Sequence, residues 1–253
     1  MTSKELHEFL DEQVVRYNCR DFIANDPISI PHNYSKKQDI EIAGLLAAVF
    51  SWGQRKTIIS KSKEFLNLMD DDPYDFVLNH TENDLKRFTA FAHRTFQPTD
   101  ALYFIEFFSL YYQIHHSMEA LFLPNEPTAS GLANFHEQFF NHPSAPDRTK
   151  KHIPTPARKS SCKRINMFLR WMVRQDTNGV DFGIWKQMSP RHLICPLDVH
   201  VGNVARKLGL LKRKQNDWSA AIELTQKLQL FDPTDPVKYD FALFGLGVSG
   251  VLR

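Results

Sequence analysis

The chain has little cysteine: three residues in 253, Cys19, Cys162 and Cys195, odd in number and far apart. That excludes a disulfide framework and a Cys-x-x-Cys metal knuckle, and it predicts three reduced thiols. Glycine is sparse at ten residues, and no long β-branched run is present, so a parallel α/β sheet has little to build on. No stretch approaches the roughly eighteen consecutive apolar residues that a membrane-spanning helix needs. The opening segment MTSKELHEFLDEQ is polar and acidic, unlike the basic-then-apolar start of an export signal. With these classes excluded, a composition that is 42% hydrophobic predicts a soluble, cytoplasmic, monomeric protein with its own sizeable core, as one large domain or two lobes.

What is present is helical periodicity. Apolar residues at Ile42, Leu45, Leu46, Val49 and Phe50 follow one face of a helical repeat, and Gly53 punctuates its end. Further stripes run through Ala101–Tyr112, through Ile165, Phe168, Leu169 and Met172, and through Val201, Val204, Ala205 and Leu208, with Gly209 as a stop. Thr81 followed by Asp84 resembles a capping box, while Asp72-Pro73 and Asp235-Pro236 each set a capping acid before proline at the first helical position. Alternating strand patterns are scarce, so the expected fold class is all-α. Residues 123–156, rich in Pro, Asn and Ser at both ends and interrupted by an apolar stretch at 132–140, read as a surface excursion between lobes.

Two motifs carry less than they suggest. Gly245-Leu-Gly247-Val-Ser-Gly250 matches G-x-G-x-x-G, but dinucleotide binding needs a strand before it, a helix after it and an acid about twenty residues on. The sequence stops at Arg253, so these glycines are expected to serve close helix packing near the end of FALFGLG. His192, Cys195 and His200 are near neighbours and His115-His116 add two imidazoles, yet zinc sites show tighter pairs, and adjacent helical residues point about 100° apart. Surface or partly buried histidines account for the same pattern, and neither a metal nor another cofactor is expected.

Charge is the strongest signal. From Arg148 to Lys214 sixteen Lys and Arg stand against three acids, a window of +13 in a chain of net +2, so the remainder carries −11. Such polarisation marks a polyanion-binding face, usually for nucleic acid. Within it, Pro156-Ala-Arg158-Lys159-Ser160-Ser161-Cys162-Lys163-Arg164 leads into INMFLRWMVR, where Lys163, Asn166, Arg170 and Arg174 form a polar stripe opposite Ile165, Phe168, Leu169 and Met172. A stripe of this kind is ordinarily a solvated face. The small and polar residues ahead of it would let backbone amides at the helix start approach phosphate, which makes Arg158, Lys159, Ser160, Ser161, Arg170 and Arg174 candidate DNA contacts. Downstream, PLDVHVGNVARKLGLL places Asp198 at a helix start in basic surroundings. There it reads as an N-cap, and such an acid can also deprotonate a lysine or stabilise developing positive charge. His200 and Arg206 on the same helix complete the candidate contacts.

An apolar helix ending in Ser51–Gln54, Lys163 heading a basic helix, P-L-D-V-H-V around Asp198 and a final D-F-A-L-F-G-L-G occur in that order. Together they resemble the helix-hairpin-helix DNA glycosylase superfamily over roughly residues 36 to 250, more specifically after Lys163. The chain also resembles an uncharacterised bacterial family related to those glycosylases. The resemblance implies an all-α, two-lobed enzyme, with 36–175 as the lobe carrying the hairpin-like segment and 1–35 plus 176–253 as the second. Duplex DNA would lie in the cleft, and in a bacterium the protein would associate with the nucleoid. Base-excision repair would follow: a damaged nucleotide flips out of the duplex, Asp198 helps deprotonate Lys163 and stabilises the oxocarbenium-like sugar, and the lysine amine attacks C1′, expels the base and leaves a Schiff base. Gln54 would fill the gap left by the flipped base, or cap a helix.

The departures are specific. The superfamily's hairpin is an apolar-Pro-Gly-apolar-Gly turn, whereas Ala157–Lys163 contains no glycine, so the turn is expected to differ and Lys159 is a second candidate nucleophile. The 35-residue separation of Lys163 from Asp198 resembles the archaeal 8-oxoguanine glycosylases more than the endonuclease III group. No cysteine follows Gly247, so the iron–sulfur loop of many relatives is missing. Loss of the hairpin glycines favours another class, a non-catalytic helical module that binds DNA or RNA through the same groove. A third reading, a helical scaffold for an acidic protein partner, predicts no nucleic-acid affinity.

Overall fold

The computed structural model describes residues 1–123 and 129–250, and its regular structure is all helical. Helices α1 (Ser3–Tyr17), α2 (Arg20–Ala24), α3 (Lys37–Phe50), α4 (Arg55–Asn67), α5 (Pro73–Asn79) and α6 (Glu82–Leu85) come first. They are followed by α7 (Pro98–Tyr112), α8 (Ala129–Phe140), α9 (Lys163–Val173), α10 (Val199–Lys207), α11 (Trp218–Gln229) and α12 (Tyr239–Ser249), with single 3-10 turns in the connections. No strand forms among the described residues; two isolated bridges, His93 with Phe96 and Ser160 with Asp217, are all the β-type pairing. None of the helices described is long and apolar enough to cross a membrane. Of the expected surface excursion, α8 occupies the apolar part, and residues 124–128 lie outside the described residues.

Local chemistry sets the helix starts. Thr81 and Asp84 make the reciprocal capping box that opens α6, and the Asp72 carboxylate accepts from the Asp75 amide at the head of α5. Asp235 departs from expectation: Pro236 opens a 3-10 turn without a side-chain cap, because the Asp235 carboxylate is taken by Arg174. Helix α3 departs as well. Its periodicity predicts one buried face, but every residue from Asp39 to Phe50 is buried, since α4, α5, α9 and the turn at Pro31–Asn33 surround it. Even Glu41 is fully buried, and it survives there because four donors satisfy it: Tyr112 Oη at 2.7 Å, Ser117 Oγ at 2.5 Å, Trp185 Nε1 at 2.6 Å and the Met118 amide at 3.0 Å.

Two packing groups share one continuous core. Helix α3 lies against α9 and α4, and α12 lies against α1 and α10. The closest approaches use small residues. A Cβ at Gly245 would fall 2.3 Å from the Tyr17 ring of α1, and one at Gly247 would fall 2.9 Å from His200 Cβ of α10. The glycines of the G-x-G-x-x-G string therefore let α12 pack tightly on both neighbours.

Helix α9 is not the solvated amphipathic helix that its sequence suggests. Ile165 through Val173 and the flanking Arg174 are all buried. Arg170 donates from Nε to Asp181 at 3.2 Å and from Nη1 to Asp240, while Arg174 meets Asp176 at 2.7 Å, Asp235 at 2.8 Å and Asp181 at 3.1 Å. Carboxylates from the segment just after α9, from the turn at Asp235 and from the first turn of α12 thus cover the two arginines of the stripe. Burial works against both guanidinium charges, but these acids hold both arginines protonated.

Candidate active site

A cavity of about 420 Å³ lies where α9 and α10 begin. Its wall draws on distant parts of the chain: Asp26 before a 3-10 turn, the Ser51–Gly53 loop after α3, Arg55, Lys163 and Arg170 from α9, Asp198 with His200, and Asp240 with Phe244 from α12. Gly53 adopts φ +110°, a left-handed conformation that admits few residues other than glycine, and this turns the chain sharply between α3 and α4.

Lys163 is the first residue of α9, and the turn before it is held without glycine. Lys159 (φ +59°) and Cys162 (φ +51°) occupy the left-handed positions themselves. The Ser160 hydroxyl accepts from the Cys162 amide at 3.1 Å, and the Ser161 hydroxyl donates to the Leu197 carbonyl at 3.1 Å. That second bond ties the hairpin-like turn to the residue preceding Asp198. Arg164 fixes the other side of the helix head by donating from Nη1 to the Val49 carbonyl at 2.5 Å, and burial pushes its guanidinium down to about 10. Two elements far apart in sequence are thereby locked together.

Asp198 divides its oxygens. Oδ1 accepts from the Val201 amide at 2.9 Å as the N-cap of α10, and Oδ2 lies 4.0 Å from Lys163 Nζ. Both side chains are partly exposed to the cavity. On the inner wall, burial raises the Asp240 carboxyl to about 6 even though Arg170 is bound to it. Burial also raises Asp26, against the Ile28 amide that bonds it and the nearby positive charge of Arg170. Phe244 lies beneath Arg55 at 5.0 Å, and Trp52 beneath Arg94 at 4.7 Å, so aromatic surface and ionisable groups alternate around the opening.

Of the residues singled out by sequence, Lys163, Asp198, Arg170 and His200 converge on the cavity. Arg158 and Lys159 are exposed on the hairpin-like turn and do not line it. Gln54 is exposed at the N-cap position of α4 and makes no side-chain cap; its neighbours Trp52, Gly53 and Arg55 line the cavity instead. Arg174 lies in its carboxylate cluster, and Arg206 is committed to the Arg213 carbonyl and Asn216. Sequence reasoning missed Phe22, Asp26, Asp240 and Phe244. Only the buried need of Arg170 for counter-charges could have pointed to the two acids.

The thiols stay out of this chemistry. Burial pushes Cys162 up to about 12 and Cys195 well above its usual range, and all three cysteines are free. No group of three or more His, Cys, Asp or Glu side chains among the described residues is placed to hold a metal ion. A primary amine beside a carboxylate, in a partly apolar cavity, has the parts for covalent catalysis at an electrophilic carbon.

A family model described as a protein of unknown function, DUF2400, matches residues 26–249. No curated protein and no solved structure matches the chain.

Proposed function

The chain belongs to the DUF2400 family of proteins of unknown function, and for this member we propose a DNA base-excision glycosylase with lyase chemistry, built as a two-lobed helix-hairpin-helix architecture. Helices α3 to α9 would form the lobe with the hairpin-like turn, and α1 and α2 with α10 to α12 the other. The observation that carries the reading is the pairing of Lys163 Nζ with Asp198 Oδ2 at 4.0 Å on one cavity. The cap of α10 uses the other oxygen of Asp198, so the oxygen that faces Lys163 is not the one the helix holds.

A nucleotide flipped into the cavity would present C1′ to Lys163. The carboxylate of Asp198 takes up a proton from the lysine ammonium and passes it to the departing base, so that it is an anion again when positive charge grows on the sugar. The amine forms a bond to C1′ as the bond from C1′ to the base nitrogen breaks, and the base leaves with that electron pair and takes the proton that Asp198 carries. Opening of the sugar ring then moves one proton from the new ammonium to O4′ as the C1′–O4′ bond breaks, which gives the protonated Schiff base. Phe22, Trp52 and Phe244 offer apolar surface to the extruded base, and Asp26, Arg55 and Asp240 offer polar groups to its edge.

Incubation with duplexes carrying single oxidised, alkylated or deaminated bases tests this. The wild-type chain is expected to release at least one of these bases, and Asp198→Asn to release it at least about a hundredfold more slowly. No release from any duplex by the wild-type chain would leave the non-catalytic nucleic-acid-binding module as the better reading.

A further inference from the structure

Beside the cavity, the loop between α10 and α11 carries Lys212, Arg213 and Lys214, all exposed. Three sets of bonds fix its backbone. Arg206 donates from Nε to the Arg213 carbonyl at 2.8 Å and from Nη2 to Asn216 at 2.6 Å. Asn216 Nδ2 donates in turn to the backbone carbonyl of Asp198 at 3.1 Å. Asp217 pairs with Ser160 in an antiparallel bridge, and the Trp218 amide donates to the Lys159 carbonyl at 3.4 Å. The loop is therefore held against the hairpin-like turn and the start of α10 at once. Lys159 adjoins it through that last bond, with Arg158 next to it in the chain, and Lys207 ends the helix that leads into it.

The acids nearby are already engaged. Both oxygens of Asp217 accept from Arg213, at 2.7 and 2.5 Å, and Glu223 accepts from the Lys212 amide at 2.7 Å. Among the described residues no carboxylate comes within ion-pair distance of Arg158, Lys159, Lys207, Lys212 or Lys214. Five exposed cations without a carboxylate partner thus stand along a ridge made of this loop and the two segments bonded to or leading into it, a concentration of positive charge that a polyanion would neutralise. Lys159 holds its place in a left-handed conformation that glycine would adopt without strain. No large aromatic side chain is exposed among the described residues, so the ridge lacks the stacking platforms that single-strand binders use and the anchors typical of protein interfaces.

We propose that Arg158, Lys159, Lys207, Lys212 and Lys214 form a surface for the phosphate backbone of duplex DNA, engaging the strand beside the cavity without reading its bases. The proposal rests on the DNA reading of the cavity and extends it to residues that take no part in the chemistry.

Binding of the full chain to an undamaged duplex, followed by fluorescence anisotropy across a potassium chloride series, tests it. Lys212→Gln with Lys214→Gln is expected to shallow the slope of log affinity against log salt by about two, near 0.9 for each lost phosphate contact. The same change at the distant Lys4 and Lys86 should leave the slope in place. Borohydride trapping on an abasic-site duplex at saturating protein separates the two claims. A shallower slope without trapping by the wild-type chain supports the ridge and removes the glycosylase reading; trapping with an unchanged slope removes the ridge and keeps the enzyme. Tighter binding to single-stranded DNA or to RNA than to duplex would overturn the assignment.

Discussion

Asp198 serves the fold with one oxygen and faces Lys163 with the other. An amide in its place can still accept from the Val201 amide but cannot take a proton from the lysine or balance positive charge. Asp198→Asn should therefore cost less than about 1 kcal/mol in denaturant unfolding while abolishing most base release. The buried arginines should behave in the opposite way. Arg174→Ala leaves Asp176 and Asp235 without their counter-charge and Asp181 with Arg170 alone, and an unfolding loss of roughly 3–5 kcal/mol is expected, with no change in the salt slope of DNA binding. A stable Arg174→Ala with a shallower slope would restore the solvated stripe. Lys163 and Asp198 were legible in sequence because each sits at a helix start with its own local signature. Arg170 and Arg174 were not, because what decides their surroundings is carboxylates at 176, 181, 235 and 240, all outside α9 and so absent from its helical wheel.

Among the elements, α12 shows how a motif can be physical without being functional. Gly245 is needed for the approach of Tyr17, and a methyl group there has no space. Gly245→Ala should lower stability by about 1–3 kcal/mol in thermal or denaturant unfolding, whereas a neutral substitution would mean that α1 is free to shift. Helix α7 gives a pH prediction. Burial of Asp100 favours its neutral form, but the contact with His152 at 3.3 Å and the bonds from the Thr149 hydroxyl and the Gln97 amide outweigh it and hold the carboxyl at about 2. A folded value below the ordinary one of about 3.9 means that Asp100 contributes stability above pH 4 and loses it as pH falls from about 4 to 2, by roughly 2 kcal/mol. The unfolding free energy of Asp100→Asn should accordingly fall less over that interval than that of the wild type; parallel curves would contradict it. Capping boxes and helix stops were readable because they are set within four residues. The burial of α3 on every side was not, since its sequence gives one apolar stripe and only the neighbouring helices supply the rest of its cover.

Across the whole molecule, the charge asymmetry pointed to a polyanion without saying which cations would meet it. The +13 window includes Arg170 and Arg174, both removed from solvent by packing, Arg164, which is half-buried and bonded to the Val49 carbonyl, and Arg148, which is paired with Asp100. The free cations concentrate on the hairpin-like turn and the loop after α10. The helical class was legible from periodicity throughout, but the route that brings residues 22–27 and 240–244 to the cavity was not, because it depends on how α1 and α12 pack. The central claim concerns one bond between this chain and a sugar carbon. Its most direct measurement is borohydride reduction of the wild-type chain with an abasic-site duplex, followed by mass mapping of the cross-linked peptide. A single adduct on Lys163 is predicted, lost in Lys163→Gln and retained in Lys159→Gln. An adduct that maps to Lys159, or survives Lys163→Gln, would contradict the account, as would no adduct at all.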